Sequence, residues 1–514
     1  MTEPLYDLPT VWELVRQRAA ATPDAPLLID ATGRTVTCAQ LAEQAERVAA
    51  GLHGIGVKAG TPVVWQLPTR IESVVLSMAL ARLGAVQTPV IAFYREKEVG
   101  FVLRETGAEV VFVPGEWKGF DFAAMARGLA AEVTLAPQVV VLDEGLPEGD
   151  PALLPAPPSA GDEVRWIYYT SGTTSDPKGV RHTDQTLMNG GKGLAVALDM
   201  SPSDIGSVVF PYAHIAGPDY VFMLLQVGFP AILLESFVPA DAVEVFTRLG
   251  ATMAGGSTAF YTAYLAEQRK NPGQKLIPSL RLLSGGGAPK PPEVYFEVKA
   301  EMGVPVVHGY GMTECPMIAM GSPHDTEEQL ANTDGKPVVG ADVRIVKQDG
   351  SVAAAGEEGE VRLRGPIVFA GYTDDALTKE AFDDDGFFRT GDVGILRADG
   401  HLTLTGRLKD IIIRKGENIS AKEIEDLLYE HPKVGQVAVI GVPDRERGEM
   451  VVAVVQPPEG GAALGFDEMV EYLRGKSLMT QKIPERLEVV DGLPRNETLN
   501  KVLKYKLREQ FGGK

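Results

Sequence analysis

From about residue 10 to about residue 330 the chain alternates helix-period segments with short apolar ones, and this rhythm restricts the fold more than any other feature. Residues 40–52 carry apolar side chains at helical spacing, with Gly54 and Gly56 behind them as stop signals. Residues 62–67 read as a buried strand and 72–83 as a second helix; Val110-Val111-Phe112-Val113 and Val139-Val140-Val141-Leu142 follow as strands. A βαβα order of this kind predicts parallel sheets covered by helices. The proline-rich run 151–158 reads as a linker. Near residue 335 the pattern changes to short alternating strands at 343–346, 360–364 and 401–405, with turns at Asp349-Gly350 and Asp399-Gly400. Beyond Arg407 it changes again. Ser420 and Glu423 form a capping-box signature opening a helix at 421–430; strands at 437–440 and 451–455 and a helix at 469–475 follow. The predicted class is α/β. A large N-terminal domain, 1–407, has parallel-sheet α/β layers and a small β-rich unit at about 335–407, and a small mobile α+β C-terminal domain, 408–514, follows it.

Composition serves mainly to exclude. A net charge of −20 argues against nucleic acid or an anionic membrane as the main partner, because both would be repelled. The two cysteines, Cys38 and Cys315, give no disulfide or zinc framework and suit a reducing cytoplasm. The first residues lack the basic and apolar regions of a secretory signal, and no apolar run reaches membrane-spanning length. The expectation is a cytoplasmic protein without an integral membrane segment; a homodimer stays open.

The densest chemistry lies in Tyr168-Tyr169-Thr170-Ser171-Gly172-Thr173-Thr174-Ser175-Asp176-Pro177-Lys178-Gly179-Val180. Glycines let backbone amides approach an anion, hydroxyls donate further hydrogen bonds, and Lys178 adds charge. This is the chemistry of a loop that grips a polyphosphate. Its order differs from the common P-loop, since Pro177 precedes the lysine and Gly179 follows it. Four further segments stand out. His308-Gly309-Tyr310-Gly311-Met312-Thr313-Glu314 offers a turn beside a flat ring and a carboxylate for a divalent ion. In Phe388-Arg389-Thr390-Gly391-Asp392 the aspartate suits a ribose diol. Gly406-Arg407-Leu408-Lys409-Asp410 runs into an isoleucine-rich strand, and Lys501 lies near the C-terminus.

In this order, over nearly the whole chain, these segments resemble the adenylate-forming superfamily of acyl-CoA synthetases, luciferases and peptide-synthetase adenylation domains. The resemblance implies a reaction in which a carboxylate attacks the α-phosphate of ATP, pyrophosphate leaves, and a thiol displaces AMP. It implies that Thr170, Ser171, Gly172, Thr173, Thr174 and Lys178 hold the β- and γ-phosphates. Gly287, Ala288 and Pro289, after Gly286, would line one side of the adenine plane, and His308, Gly309 and Tyr310 the other. Thr313 would touch the α-phosphate and Glu314 would ligate Mg²⁺; Asp392 would bind the ribose hydroxyls with Arg407 nearby. Lys501 would bridge the substrate carboxylate and the α-phosphate, stabilising the charge that shifts in the transition state. The nucleophile is already an anion, so positioning and charge neutralisation carry the rate. Lys409 falls at the family's interdomain hinge, and Gly416 would line the channel for the pantetheine arm of coenzyme A. The chain departs from the pattern at Ser175 and Asn500, where glycines are usual, and at Ala421, where proline is usual. The interval from Pro494 to Lys501 is one residue longer than usual, which makes Lys504 a competitor for the role of Lys501.

For the acid, 211–217 resembles the segment that borders the acyl site, placing His214 and Gly217 there; a satisfied core histidine is the bland alternative for His214. Gly311 stands where acetyl-CoA synthetases have a tryptophan that blocks the pocket floor. Around it, Tyr220, Phe260, Met312 and Cys315 are aromatic or apolar, and no acid is evident to pair an amino group. The expected substrate is an apolar carboxylic acid larger than acetate: medium-chain fatty, alicyclic or aryl. The expected enzyme is an AMP-forming acid–CoA ligase. The alternatives are a stand-alone adenylation enzyme that loads a carrier protein and a catalytically silent nucleotide-binding homologue.

Overall fold

The computed structural model describes residues 5–170, 177–414, 417–444, 448–476, 478–495 and 502–512. Its central layer is a six-stranded sheet in the order Lys178–Thr183, Val164–Thr170, Val86–Pro89, Pro62–Trp65, Val110–Val113, Gln138–Val141. All neighbours are parallel except the first two strands, which pair antiparallel. The apolar runs seen in the sequence fill the middle of this sheet because parallel strands are covered on both faces. The helix Ile71–Leu83 that links two of them is buried along nearly its whole length. A second sheet starts parallel, with Met253–Gly256, Leu282–Gly286 and Val306–Met312. It ends antiparallel, with Cys315–Met320 and Lys336–Pro337. A third joins Gly206–Val208, Ala231–Leu233, Pro26–Asp30 and Thr35–Thr37.

The strand-like lead-in to the polyphosphate motif extends further than its sequence suggests. Tyr168, Tyr169 and Thr170 continue the strand Val164–Thr170, and Lys178 opens its antiparallel partner, with Thr170 opposite Lys178. The motif therefore spans a β-hairpin rather than the strand-to-helix turn of a P-loop.

The β-rich unit is an antiparallel sheet of Asp342–Val346, Glu358–Arg364, Phe388–Leu396 and Leu402–Arg407. Gly350 and Gly400 take the positive φ their turns require, 83° and 84°. A further sheet holds Glu417–Ser420, Ile411–Arg414, Gly448–Gln456 and Gln436–Asp444, with Arg486–Val489 parallel to Gly448–Gln456. A separate buried apolar cluster supports it, from Ile412 to Ile483. The helix Ala421–Tyr429 opens as expected, but only half of its capping box forms. Ser420 Oγ accepts the Glu423 amide at 3.3 Å. The Glu423 carboxylate instead pairs with Lys482 at 2.6 Å, a stronger partner than a backbone amide. Ser420 Oγ also donates to the Thr405 carbonyl, tying this helix to the β-rich unit. Among the described residues, no helix is long and apolar enough to cross a membrane.

Candidate active site

The strand Val306–Met312 carries the centre of the site, and cross-strand register assembles the rest. In the β-rich unit Asp392 lies directly opposite Arg407. Arg407 Nε meets Asp392 Oδ1 at 2.7 Å, and Tyr310 donates its hydroxyl to Asp392 Oδ2 at 2.6 Å. Burial, with the Asp392 charge beside it, pushes the Tyr310 phenol well above its ordinary range, so it stays a donor. Each carboxylate oxygen keeps a further acceptor site for a pair of hydroxyls.

Glu314 sits in the turn that follows, between Val306–Met312 and Cys315–Met320, and is 7% exposed. Tyr372 donates to Glu314 Oε1 at 2.7 Å, and the Lys178 ammonium stands 5.1 Å from the centre of the Tyr372 ring. The 369–373 segment also ties these parts together through its backbone. Phe369 N donates to Glu314 O at 2.9 Å and Thr373 N to Gly179 O at 2.8 Å, while Arg181 N donates to Gly371 O at 2.9 Å. His182 adds a side-chain tie: Nε2 donates to the Thr313 carbonyl at 2.7 Å, with Nδ1 2.9 Å from the Thr186 hydroxyl. Burial lowers its pKa to about 4, so the ring is neutral at ordinary pH. Tyr372 and His182 escaped the sequence reading, since a lone tyrosine and a lone histidine outside any glycine-rich motif carry no signal.

A divalent ion fits this arrangement in a specific way. Glu314 offers one carboxylate already oriented by Tyr372, and no group of three or more metal-ligating side chains exists among the described residues. A single protein carboxylate completed by phosphate oxygens and water is how Mg²⁺ is commonly held.

On the segment expected to frame the adenine, His308 Nε2 donates to the Ala288 carbonyl at 3.0 Å, which leaves Nδ1 to accept from Tyr261 at 3.3 Å. Burial, reinforced by Lys290, depresses its pKa to about 3. Gly287 adopts φ +80° with open space where a side chain would stand. Gly309 and Pro289 lie on the same two neighbouring segments.

A narrow cleft of about 30 Å³ opens beside Thr313. Pro89, Val90, Ile91, Tyr94, Tyr168 and His214 contribute to its walls. His214 is the residue of the expected acid-binding set that lines it. Its Nδ1 accepts the Ala216 amide at 3.3 Å, at the start of the helix Ala216–Val227, and burial lowers its pKa to about 4. Tyr220 turns away, its hydroxyl accepting the Ser207 amide at 3.1 Å. Phe260 packs on Phe237 with ring centres 4.5 Å apart, and Cys315 is fully buried. Met312 is half-buried, and a Cβ at Gly217 would stand 2.0 Å from the Tyr212 carbonyl. Gly311 owes its identity to backbone crowding as well. A Cβ there would stand 2.0 Å from the Pro316 carbonyl oxygen, so the hairpin itself demands glycine.

Thr170 ends its strand beside Lys178. Ser171, Gly172, Thr173, Thr174, Gly416 and Lys501 lie outside the described residues, as does the Lys409 side chain; the Lys409 backbone belongs to the short turn Leu408–Asp410. Lys504, the alternative to Lys501, is engaged elsewhere, pairing with Glu425 at 2.7 Å.

The family model described as AMP-binding enzyme matches residues 15–373, and the AMP-binding enzyme C-terminal domain matches residues 423–499. The chain belongs to the AMP-binding enzyme family. It is similar to the medium-chain fatty-acid–CoA ligase of Escherichia coli (strain K12), 30% identical over 509 residues covering 96% of this chain and 89% of the relative. It is also similar to the long-chain-fatty-acid–CoA ligase FadD13 of Mycobacterium tuberculosis, 32% identical with 97% and 98% covered. The solved structure of ATP-bound MatB from Rhodopseudomonas palustris superposes with a TM-score of 0.88 at 29% identity, covering 98% of this chain and 99% of that one. The chain is an ATP-using, AMP-forming acid–thiol ligase.

Proposed function

We propose that this ligase acts on an apolar carboxylic acid larger than acetate, medium-chain fatty, alicyclic or aryl. The observation that carries the reading is the joining of the Asp392–Tyr310–Arg407 set to Glu314 through one strand and one turn, beside a mostly apolar cleft. Asp392 accepts the ribose hydroxyls while Tyr310 and Arg407 hold its carboxylate in place. His308, Gly309, Gly287, Ala288 and Pro289 frame the base. Thr170 to Thr174 and Lys178 take the β- and γ-phosphates, and Thr313 the α-phosphate. Glu314 would hold Mg²⁺, which when bound neutralises phosphate charge. Lys501 supplies the cation between substrate carboxylate and α-phosphate. The C-terminal unit, 408–514, turns on Lys409, withdrawing Lys501 and bringing Gly416 to the thiol of coenzyme A. The setting is the cytoplasm, with a homodimer as the assembly to test.

A panel of carboxylic acids, read by pyrophosphate release and by thioester formation with coenzyme A, tests this directly. Apolar acids larger than acetate should give thioester, and Lys501→Ala should slow adenylation by on the order of 10²-fold or more while ATP still binds. Best turnover with acetate or an amino acid overturns the substrate class. Acyl-AMP accumulating without thioester makes a carrier protein the acceptor. ATP binding without turnover of any acid makes the chain a silent homologue.

A further inference from the structure

The turn that carries Thr313 and Glu314 is short. Met312 pairs directly with Cys315, so these two residues alone close the hairpin between Val306–Met312 and Cys315–Met320. Two of its ties come from the 369–373 segment: Phe369 N on the Glu314 carbonyl and the Tyr372 hydroxyl on the Glu314 carboxylate. A third comes from the lysine strand, where His182 Nε2 donates to the Thr313 carbonyl at 2.7 Å. Side chains alternate along a strand, so Lys178, Val180 and His182 project from the same face of Lys178–Thr183. Four residues of strand span about 13 Å. One end of the strand thus presents the lysine expected to grip the triphosphate, and the other end grips the turn.

The imidazole is itself held. Its Nδ1 accepts from the Thr186 hydroxyl at 2.9 Å, and that hydroxyl accepts the Thr183 amide at 3.0 Å, in the capping box that opens the helix Asp184–Ala197. The Tyr168 ring stands edge-on to the imidazole, with centres 6.3 Å apart, and His182 is fully buried. A neutral ring whose Nδ1 accepts must carry its proton on Nε2, where the Thr313 carbonyl receives it. A histidine needed only for packing could be exchanged for an apolar side chain at a cost in stability alone. One that sets the turn would lose rate, because a misplacement of about 1 Å can cost on the order of 10²-fold in turnover.

We propose that His182 is a positioning residue for adenylation, fixing the Thr313–Glu314 turn against the Lys178 strand. The groups assigned to the α-phosphate, the metal and the departing pyrophosphate then stand in one frame. His182 touches neither nucleotide nor acid; it acts through the Thr313 carbonyl, and its role rests on the reading that places Thr313 at the α-phosphate.

The test follows ATP–pyrophosphate exchange, with an acid the wild type activates, in His182→Met, His182→Gln and His182→Asn. Thioester formation from supplied acyl-AMP and coenzyme A is followed alongside. A glutamine amide can reach the Thr313 carbonyl with a donor; asparagine is polar but shorter, and methionine fills the space without a donor. Thermal melting confirms that each variant is folded, and the glutamine–asparagine comparison keeps the test open if His182→Met does not fold. The expected result is a kcat for adenylation lowered by about 10- to 100-fold in His182→Met and His182→Asn, with KM for ATP within about twofold of the wild type. His182→Gln should recover most of the loss, and the thioester step should be unchanged in all three. Equal exchange rates in the three variants, whether full or reduced, overturn the proposal. So does a loss carried by KM for ATP or shared by thioester formation; the histidine is then a packing residue. Thr313→Val separates the two readings: wild-type adenylation there is a failure of the Thr313 assignment, whereas a failure of His182 shows as glutamine performing no better than methionine or asparagine.

Discussion

The nucleotide half of the site and the acid half are built on opposite plans. The two carboxylates proposed to meet the nucleotide and its metal, Asp392 and Glu314, are already hydrogen-bonded: Tyr310 and Arg407 hold one and Tyr372 the other. In the cleft proposed for the acid, the wall residue Tyr168 keeps a buried hydroxyl without a hydrogen-bond partner, and Gly311 and Gly217, outside its walls, are fixed by backbone crowding. The first half is pre-organised for one ligand that never changes. The second is walled mainly by apolar side chains. Pre-organisation lowers the cost of ordering on binding.

Four experiments sharpen or break that contrast. The largest effect should come from acid. His182 and His308 are buried and neutral, with pKa values held down at about 4 and about 3. Because these lie below the unfolded value near 6.5, their stabilisation is complete above that pH and is lost as pH falls toward 4. Each depression corresponds to roughly 3 kcal/mol or more. Melting temperature should drop steeply between pH 6 and 4, and a flat profile would break the picture of a rigid nucleotide half. Next, Asp392→Ala strands Arg407 and Tyr310, and kcat/KM for ATP should fall by on the order of 10²-fold, about 3 kcal/mol. The factor should be the same for every acid; a factor that varied with the acid would erase the boundary between the halves. Gly311→Ala should lower stability by about 2 kcal/mol, because the added methyl meets a carbonyl rather than an empty pocket. A variant of unchanged stability and altered acid preference would return Gly311 to a pocket role. The smallest effect belongs to Tyr372→Phe, which frees the Glu314 carboxylate. The Mg²⁺ concentration for half-maximal adenylation should rise severalfold, about 1 kcal/mol, with acid preference untouched.

Much of the scaffold was legible because parallel sheets demand continuous apolar runs, and Val110 to Val113 stands as a strand with the bounds its sequence suggests. The hairpin across the polyphosphate motif was not, since Lys178 to Thr183 is too polar to read as a strand and is defined by its partner. Within the site, legibility followed density of motif. Glu314 and Asp392 announce themselves beside glycines. Tyr372 and His182 act through partners more than fifty residues away in the chain, a separation no local pattern encodes.

The 369–373 segment has a consequence that belongs to measurement more than to chemistry. It is the common datum from which both Glu314 and the Lys178 strand are set out, through Phe369 on one side and Gly371 and Thr373 on the other. Parts referenced to one datum do not accumulate error between themselves. Carboxylate and lysine are thereby fixed relative to one another, and the distance between them is set by the short 369–373 segment.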